Sequence, residues 1–358
     1  MQNLLNLTLR QSHGTSWSEV QGMSEDRLIE RICVALRPKR ISHSTLRLGV
    51  GDDAAVVAPR PNMEWVLSSD AFVEGVHFLV DRHPADSVGY KALARATSDL
   101  AAMGARPRFF LLTLVLARDR IGRWLDEFLG GLGRAARGLD MTLIGGDTTT
   151  NPTIFISITV VGEIAKGRAV KRSGATPGDL IYVTGRLGAA ELGLRLLKSR
   201  SKKSIERRLI RHSSPLRAHL YPRIQVEWGE WLVRHRLASS MIDISDGLST
   251  DLSRLCGASG VGAEIWADQI PRVLIPAGNR LETRALARLN PLELALNGGE
   301  DYELLFTVQP SHLRHLARAP RFAELTQIGQ IVRRRQLTLI LGDGAKRPLV
   351  PGGWDPFR

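Results

Sequence analysis

The stretch MTLIGGDTTTNPTIFISITVVGEI, residues 141–164, contains two apolar runs separated by small and polar residues. The runs are strand-like and predict strands at 141–147 and 153–164. The first ends in Gly145, Gly146 and Asp147 and is followed by three threonines. A simple turn needs one glycine at most, so the pair indicates a backbone kept bare for the close approach of a ligand.

Strand-like and helical patterns alternate along the chain on both sides of this stretch. Strands are predicted at 65–70 and 108–116, and helices at 86–104 and 120–138. After a Gly- and Pro-rich connection at 172–180, strands and helices begin again. This order predicts two domains of mixed helix and sheet that meet near 165–178. Residues 1–22 are polar and aperiodic, and we interpret them as an N-terminal extension.

The composition is that of a globular protein: of 358 residues, 43% are hydrophobic and 24% are charged. The longest apolar run, residues 109–117, is too short to span a bilayer. The N-terminus lacks a basic segment followed by an apolar block, so no secretory signal is predicted. Cys33 and Cys256 form neither a disulfide framework nor a zinc site. These features predict a cytoplasmic protein.

The net charge of +13 raises the possibility of nucleic-acid binding. Much of the excess lies in residues 195–217, and its core at 198–211 is dense in Lys and Arg. The segment lacks the interleaved aromatic residues of a stacking platform. It is therefore interpreted as a solvated helical surface that also attracts anionic small molecules.

Acidic residues mark the ends of several predicted strands. A single Asp in such a place is often only a turn or N-cap residue, and for Asp246 a cap alone suffices as an explanation. The same location in several strands, often beside glycine, favours a shared function. The residues concerned are Asp52, Asp53, Asp70, Asp147, Asp243 and Asp246.

Asp99 is a further acid in an unusual place. In the helical pattern YKALARATSDLAAMGA it falls on an inward stripe with Ala92, Ala96 and Met103. This predicts a buried carboxylate near the helix C-terminus, where the macrodipole disfavours an anion, with Gly104 ending the helix. Such a group needs a partner, either a nearby Arg or Lys or a metal ion.

Oxygen ligands alone favour Mg²⁺ over zinc or iron. Mg²⁺ held by a few carboxylates usually bridges substrate phosphates, so Gly145 and Gly146 are expected to admit phosphate oxygens while Asp147 holds the metal. The sequence contains no G-x-x-x-x-G-K-[ST], H-R-D-x-x-x-x-N or D-F-G motif. This excludes a P-loop protein and a protein-kinase fold, so another type of nucleotide site is required.

Seven motifs in order resemble the thiamine-monophosphate kinase family, over about residues 24 to 357. They read GDDAAVV, SSDAFVEGVHF, SDLAAMGARP, LIGGDTTT, KRSGATPGD, IDISDGLSTDL and NGGEDYELLF. The family belongs to the superfamily of aminoimidazole ribonucleotide synthetase and selenophosphate synthetase. Two departures are Ala71, where the family usually has Thr, and the ending WDPF, where DHF is common.

The resemblance implies a two-domain α+β fold like that of aminoimidazole ribonucleotide synthetase. An N-terminal α/β domain, residues 23–165, would bind metal and nucleotide and form a homodimer with a shared barrel. A C-terminal α+β domain, residues 166–358, would complete the site. The implied reaction is ATP- and Mg²⁺-dependent phosphorylation of thiamine monophosphate to thiamine diphosphate.

The resemblance also assigns site residues, position by position. The implied metal ligands are Asp53, Ser68, Ser69, Asp70, Asp99, Asp147, Asp243 and Asp246. The implied ATP contacts are Gly146, Asp147, Arg172 and Ser245. The implied substrate contacts are His77, Glu300 and Trp354. Each substrate contact also has a purely structural explanation. His77 is then a histidine packed after a strand, Glu300 caps a turn, and Trp354 shields a hydrophobic edge.

The implied chemistry needs no general base, because a phosphate monoester with a second pKa of about 6 is largely dianionic at pH 7. It needs charge neutralisation and in-line positioning, which acids holding several Mg²⁺ provide. Three alternatives stay open: another ATP-using enzyme of the superfamily, a basic nucleic-acid-binding protein, and an inactive homologue that binds nucleotide. The basic segment at 198–211 and residues 1–22 have no assigned role.

Overall fold

The computed structural model describes residues 25–38, 45–51, 53–199, 213–275, 288–319 and 324–357. The proposed extension at 1–22, Asp52 and most of the basic segment at 198–211 lie outside the described residues. Helices of the first half are α1 (Glu25–Ala35), α2 (Ala85–Ala102) and α3 (Arg123–Gly138). Its strands are β1 (Leu46–Leu48), β2 (Val56–Val57), β3 (Met63–Val73), β4 (Arg106–Val115), β5 (Thr142–Thr149) and β6 (Phe155–Ala165).

The first half is built on a four-stranded sheet in the order β3-β6-β4-β5. Only β4 and β5 run parallel, while the other neighbours are antiparallel. Along the first part of β6 every second residue is buried (Ile156, Ile158 and Val160), because successive side chains of a strand point to opposite faces, and residues 160–164 are all buried. The buried face packs against α2 and α3. The predicted strands and helices of this half are confirmed to within a few residues.

The second half contains a seven-stranded sheet in the order β13-β12-β9-β11-β7-β10-β8. Its strands are β7 (Leu180–Thr184), β8 (Ala238–Ile244), β9 (Gly262–Trp266), β10 (Glu303–Val308), β11 (Leu325–Val332), β12 (Leu337–Ile340) and β13 (Lys346–Pro348). Its helices are α4 (Ala189–Ser199), α5 (Ser214–Leu220), α6 (Val226–Arg234), α7 (Leu248–Ser259), α8 (Pro291–Asn297) and α9 (Leu313–Leu316). The expected mixture of helix and sheet in both halves is confirmed. No helix in the described part of the chain is both long and apolar enough to cross a membrane.

Helix α2 lies between the two sheets. Its alanines Ala94, Ala101 and Ala102 pack with Trp228 and Phe306 of the second half, while its other side packs on the first sheet. Fourteen of its residues are buried, so the helix has no single inward stripe. The expectation of a buried Asp99 is met only in part, because that residue is partly buried at the edge of the junction. The predicted end of the helix is confirmed, since Gly104 follows the C-cap Met103 with a φ of +72°.

Candidate active site

A cavity of about 780 Å³ opens where the two halves meet, beside the C-terminal part of α2. Its wall comes from the end of β3 and the loop after it, from α2, from the β8–α7 connection, from residues near 300 and from the C-terminal segment. We call it the junction cavity. Sequence elements far apart in the chain therefore converge here. The predicted site residues that line it are Asp70, His77, Asp99, Asp243, Ser245, Asp246, Glu300 and Trp354.

Three other predicted residues line a second cavity of about 270 Å³ between α1 and β5. They are Asp53, Gly146 and Asp147, together with Gly145, which was expected to admit phosphate oxygens beside Gly146; apolar residues of α1 form the opposite wall. A Cβ atom at Gly146 would overlap the carbonyl oxygen of Leu112 on β4, so the close packing of two strands already requires this glycine. Its contact with nucleotide stays a prediction.

The remaining predicted residues are Ser68, Ser69 and Arg172. Ser68 Oγ donates a hydrogen bond to the Asp99 carboxylate, so it supports the junction cavity from β3. Ser69 points to the opposite face of β3 because of strand alternation, and its Oγ lies 2.9 Å from Thr159 Oγ1. The Arg172 side chain is exposed and lines neither cavity, although its carbonyl oxygen accepts a 3.0 Å bond from Ser259 Oγ.

Four aspartates give the junction cavity an excess of negative charge on one side. Burial raises the pKa of Asp70 against the opposing Arg95 guanidinium, and the charges of Asp99 and Asp246 add to the increase. Burial and the charge of Asp99 raise the pKa of Asp243 to about 7, even though Ser98 Oγ donates a 2.7 Å hydrogen bond to it. Mutually repelling carboxylates favour a cation between them.

These side chains fit Mg²⁺ by chemistry, since they supply only oxygen donors. In the described residues, however, no group of three or more His, Cys, Asp or Glu side chains is arranged to hold a metal ion. Part of the reason is that Asp53 and Asp147 line the second cavity. Asp99 also has no ion pair with Arg or Lys among the described residues, so the salt-bridge alternative for Asp99 finds no support there.

Asp246 is fixed by the start of α7, but it does not cap that helix. The N-cap is Gly247, and no side chain caps the helix, so the capping explanation for Asp246 is wrong. Buried Asp251 instead accepts backbone N–H bonds from Ser245 at 3.1 Å and from Asp246 at 3.0 Å. Arg254 Nη1 then donates to Asp246 at 2.5 Å and to Asp251 at 2.8 Å. The sequence did not identify Asp251 or Arg254 as parts of the site.

Trp354 is held at the rim of the junction cavity by its own backbone. Its N–H donates to the Asp246 carbonyl oxygen at 2.9 Å, and the Gly353 N–H donates to Thr250 Oγ1 at 3.1 Å. The indole is 49% exposed, so it leaves a ring face available to the cavity. An aromatic side chain covering a hydrophobic edge would be less accessible.

His77 is a neutral hydrogen-bond donor toward the junction cavity. Burial and the nearby Arg95 charge lower its pKa to about 4, so at pH 7 the ring carries one proton. Its Nδ1 accepts the Val73 N–H at 3.0 Å, which places that proton on Nε2. His77 thus presents an N–H and no charge.

Glu300 belongs to a buried polar network that sequence reasoning missed. Its Oε2 lies 2.7 Å from Lys91 Nζ and 3.1 Å from His219 Nδ1, and His219 Nε2 lies 3.0 Å from His83 Nε2. Burial lowers the pKa of both histidines, that of His83 to about 3, so each carries one proton at pH 7. His219 therefore donates to Glu300 and accepts from His83, whose Nδ1 accepts the Leu79 N–H.

This network keeps Glu300 ionised. Burial alone would raise the pKa of its carboxyl group, but the Lys91 ammonium and the His219 hydrogen bond hold it well below its usual range. The residue also has a positive φ of 69°, which orients the carboxylate from a short connection before β10. One sequence signal was available: Lys91, Arg95 and Asp99 recur at four-residue intervals on one face of α2.

Comparison with known proteins gives consistent matches over both halves. Residues 51–164 match the family model for the AIR synthase related protein, N-terminal domain, and residues 176–342 match the model for its C-terminal domain. The chain is 41% identical over 282 residues to thiamine-monophosphate kinase of Salmonella typhimurium, which covers 78% of this chain and 81% of that protein.

Two solved structures are similar over most of the chain. The crystal structure of thiamine-monophosphate kinase from Stenotrophomonas maltophilia K279a has a TM-score of 0.72 at 35% identity, covering 88% of this chain and 96% of that one. AaThiL complexed with AMPPCP and TMP has a TM-score of 0.70 at 30% identity, covering 97% of this chain and 100% of that one. The two AIR synthase-like domains expected from the sequence are thereby confirmed.

Proposed function

The chain belongs to the thiamine-monophosphate kinase family, and on this basis we propose that it transfers the γ-phosphoryl group of ATP to thiamine monophosphate. The products are thiamine diphosphate and ADP. The observation that carries the proposal is the junction cavity, where four aspartates from separate elements meet His77, Glu300 and Trp354. This combination offers oxygen ligands for metal-bound phosphates on one side and an aromatic face on the other.

Charge neutralisation and positioning are the tasks of this site, because two phosphate anions must approach each other in line. Asp70, Asp99, Asp243 and Asp246 are the residues that would hold Mg²⁺ here. When bound, Mg²⁺ neutralises phosphate charge and lowers the barrier to transfer. The raised pKa values of Asp70 and Asp243 support this assignment, since burial is their main cause, the charges of neighbouring aspartates add to it, and a bound cation would offset both.

The substrate contacts follow from the state of each side chain. His77 Nε2–H donates to an acceptor oxygen of thiamine monophosphate without adding charge. The exposed face of Trp354 stacks with the cationic thiazolium ring, an arrangement favoured by the ring quadrupole. Glu300, held as a carboxylate, accepts from the aminopyrimidine. The three substrate contacts implied by the family resemblance are therefore compatible with the positions of these side chains in the junction cavity.

The second cavity is proposed as part of the nucleotide site, through Asp53, Gly146 and Asp147. Arg172, the proposed ATP contact, and Ser69, the proposed metal ligand, lie outside the junction cavity. Their proposed contacts would form only with bound nucleotide, bound metal or a second copy of the chain. A homodimer through the open face of the first sheet is proposed as well. Trp65 and Leu67 on β3, 39% and 60% exposed, support it. The predicted domain boundaries and a cytoplasmic location stay predictions.

ADP release from the purified full-length chain tests the function directly. The assay contains ATP and Mg²⁺, with thiamine monophosphate in one arm and free thiamine or an aminoimidazole precursor in the others. We expect ADP release that depends on the monophosphate, with formation of thiamine diphosphate. Release that depends on the aminoimidazole precursor would assign another enzyme of the superfamily. ATP-dependent thermal stabilisation without turnover would retain the fold and refute the kinase assignment.

A further inference from the structure

Arg95 is a cation inside the junction cavity that the family motifs did not assign. It lies on α2, one turn after Lys91 and one turn before Asp99. Its side chain is only 16% exposed and lines the cavity together with His77 and Glu300. The guanidinium carbon stands 5.2 Å from the centroid of the Phe72 ring, which fixes its position against β3.

The guanidinium has more donors than the protein satisfies. Nη1 donates to the Ala71 carbonyl oxygen at 3.2 Å, and Nε lies 3.3 Å from Asp70 Oδ2 in an ion pair that lacks hydrogen-bond geometry. Nε is buried and has no hydrogen-bond partner in the described residues. A guanidinium carries five N–H donors, and buried donors are rarely left unpaired. The open donors therefore indicate an anionic ligand at this point.

The other lysine and arginine side chains on the cavity wall are placed differently. Arg254 is bound to Asp246 and Asp251 through Nη1. Lys198 is exposed near the end of α4. Arg95 is thus the guanidinium on this wall that is both buried and short of partners. A bidentate match to phosphate oxygens is the interaction that its planar fork favours.

We propose that Arg95 binds the phosphate group of the acceptor and so makes the site select thiamine monophosphate over free thiamine. The inference rests on the proposed function. The acceptor is favoured over ATP as the source of the phosphate because Arg95 shares its cavity with His77, Glu300 and Trp354. Of the nucleotide contacts expected from the resemblance, Gly146 and Asp147 line the second cavity, and Ser245 is the one on the junction-cavity wall.

The test compares wild type with Arg95→Met, Arg95→Lys and the control Arg134→Met. Arg134 is a matched control because it also lies over an aromatic ring, 5.9 Å from the Tyr221 centroid, and pairs with one carboxylate, Asp86, at 2.8 Å. It lines neither cavity. Steady-state assays with Mg²⁺ give KM for thiamine monophosphate, KM for ATP, and the inhibition constant of free thiamine as a competitor lacking the phosphate. Calorimetric titration with thiamine monophosphate, in the presence of Mg²⁺ and a non-hydrolysable ATP analogue, measures binding without turnover.

For Arg95→Met we expect KM and the calorimetric Kd for thiamine monophosphate to rise on the order of 10- to 100-fold, as for a lost charged hydrogen bond. The inhibition constant of thiamine and KM for ATP should change by less than about threefold, within the scatter of near-neutral substitutions. Arg95→Lys should show an intermediate loss, since it keeps the charge but not the fork. Arg134→Met should match wild type. If Arg95→Met fails to fold, the same comparison is made with Arg95→Lys.

Each other outcome overturns the inference. Equal losses for thiamine and thiamine monophosphate would make Arg95 a structural residue. A selective rise in KM for ATP would assign it to the donor phosphates. If wild type is active and the selectivity of Arg95→Met is unchanged, Arg95 does not read the phosphate. Absence of turnover in wild type would instead refute the proposed function, so the two failures are distinguishable.

Discussion

Replacing Lys91 by methionine tests the buried charge network beneath the junction cavity. The Lys91 side chain is 1% exposed, and its ammonium lies 2.7 Å from Glu300 Oε2. Methionine retains much of the apolar stem, so the main loss is the positive charge. Removing one partner of a buried ion pair costs about 3–5 kcal/mol, because the other charge stays uncompensated. Glu300 keeps its His219 bond and is 24% exposed toward the cavity, which favours the lower end, about 3 kcal/mol.

Guanidinium-induced unfolding at fixed protein concentration measures this loss as a difference in the free energy of unfolding. Glu300→Gln and the Lys91→Met/Glu300→Gln double variant complete a cycle. We expect the double variant to be more stable than Lys91→Met alone, since an amide buries no unpaired charge. A loss below about 1 kcal/mol for Lys91→Met, with no recovery in the double variant, would refute the reasoning.

The pH dependence of Lys91→Met has a defined sign. In wild type the pKa of Glu300 is held well below its ordinary value of 4.5, so its contribution to stability is present above that value and is lost as the pH falls through the folded pKa. Without Lys91, burial raises the pKa of Glu300 relative to wild type. The folded variant then binds a proton more readily, and its deficit relative to wild type should shrink as the pH falls from neutral toward the ordinary Glu value of 4.5. A deficit that grows over this interval contradicts the assignment.

Three further substitutions address other parts of the site. Asp99→Asn should lower kcat by at least about 100-fold at saturating ATP, with little change in thermal stability, because it removes a carboxylate that would hold the metal neutralising the phosphates. Near-normal Mg²⁺-dependent turnover would exclude a metal role for Asp99. Trp354→Ala should raise KM for thiamine monophosphate roughly 2- to 30-fold, the range of a cation–π contact, and change KM for ATP less; equal effects would assign the indole to structure. Asp251→Ala should lower the free energy of unfolding by about 1–3 kcal/mol, because it leaves the Ser245 and Asp246 N–H groups unpaired, and a neutral result would contradict that role.

Local pattern was sufficient to predict most elements of the first half. The strands around Gly145 and Gly146 and the helix ending before Gly104 were all found, because each has a strong apolar period or a glycine stop. In the second half, β9, β11, β13 and the short helices α5, α6, α8 and α9 were not predicted. Their stability comes from contacts across the second sheet and with α2, such as Trp228 of α6 in the shared cluster.

The sequence motifs predicted which residues come together in the site better than they predicted the direction in which each side chain points. Asp70, Asp99, Asp243 and Asp246 do meet in one cavity. Ser69 faces away because a strand reverses its side chains at each residue. The ionised state of Glu300 was also out of reach, since Lys91, His83 and His219 approach it only in the folded chain. The four-residue spacing of Lys91, Arg95 and Asp99 marks one face of α2, but a single sequence does not show which distant residues pair with that face.

Helix α2 connects these observations. Successive turns of an α-helix are separated by 5.4 Å, so Lys91, Arg95 and Asp99 form a row along one side of α2, with Arg95 and Asp99 on the cavity wall and Lys91 buried beneath it. Their partners come from both halves: Glu300 from the second, Asp70 and Ser68 from the first. The helix itself is held closely, since a Cβ at Gly131 of α3 would overlap the Asp86 carbonyl oxygen and one at Gly229 of α6 would overlap that of Ala101. These close glycine contacts on two sides of α2 fix the position of its axis. The side chains of the row therefore keep their places relative to both sheets, although their partners come from different halves of the chain.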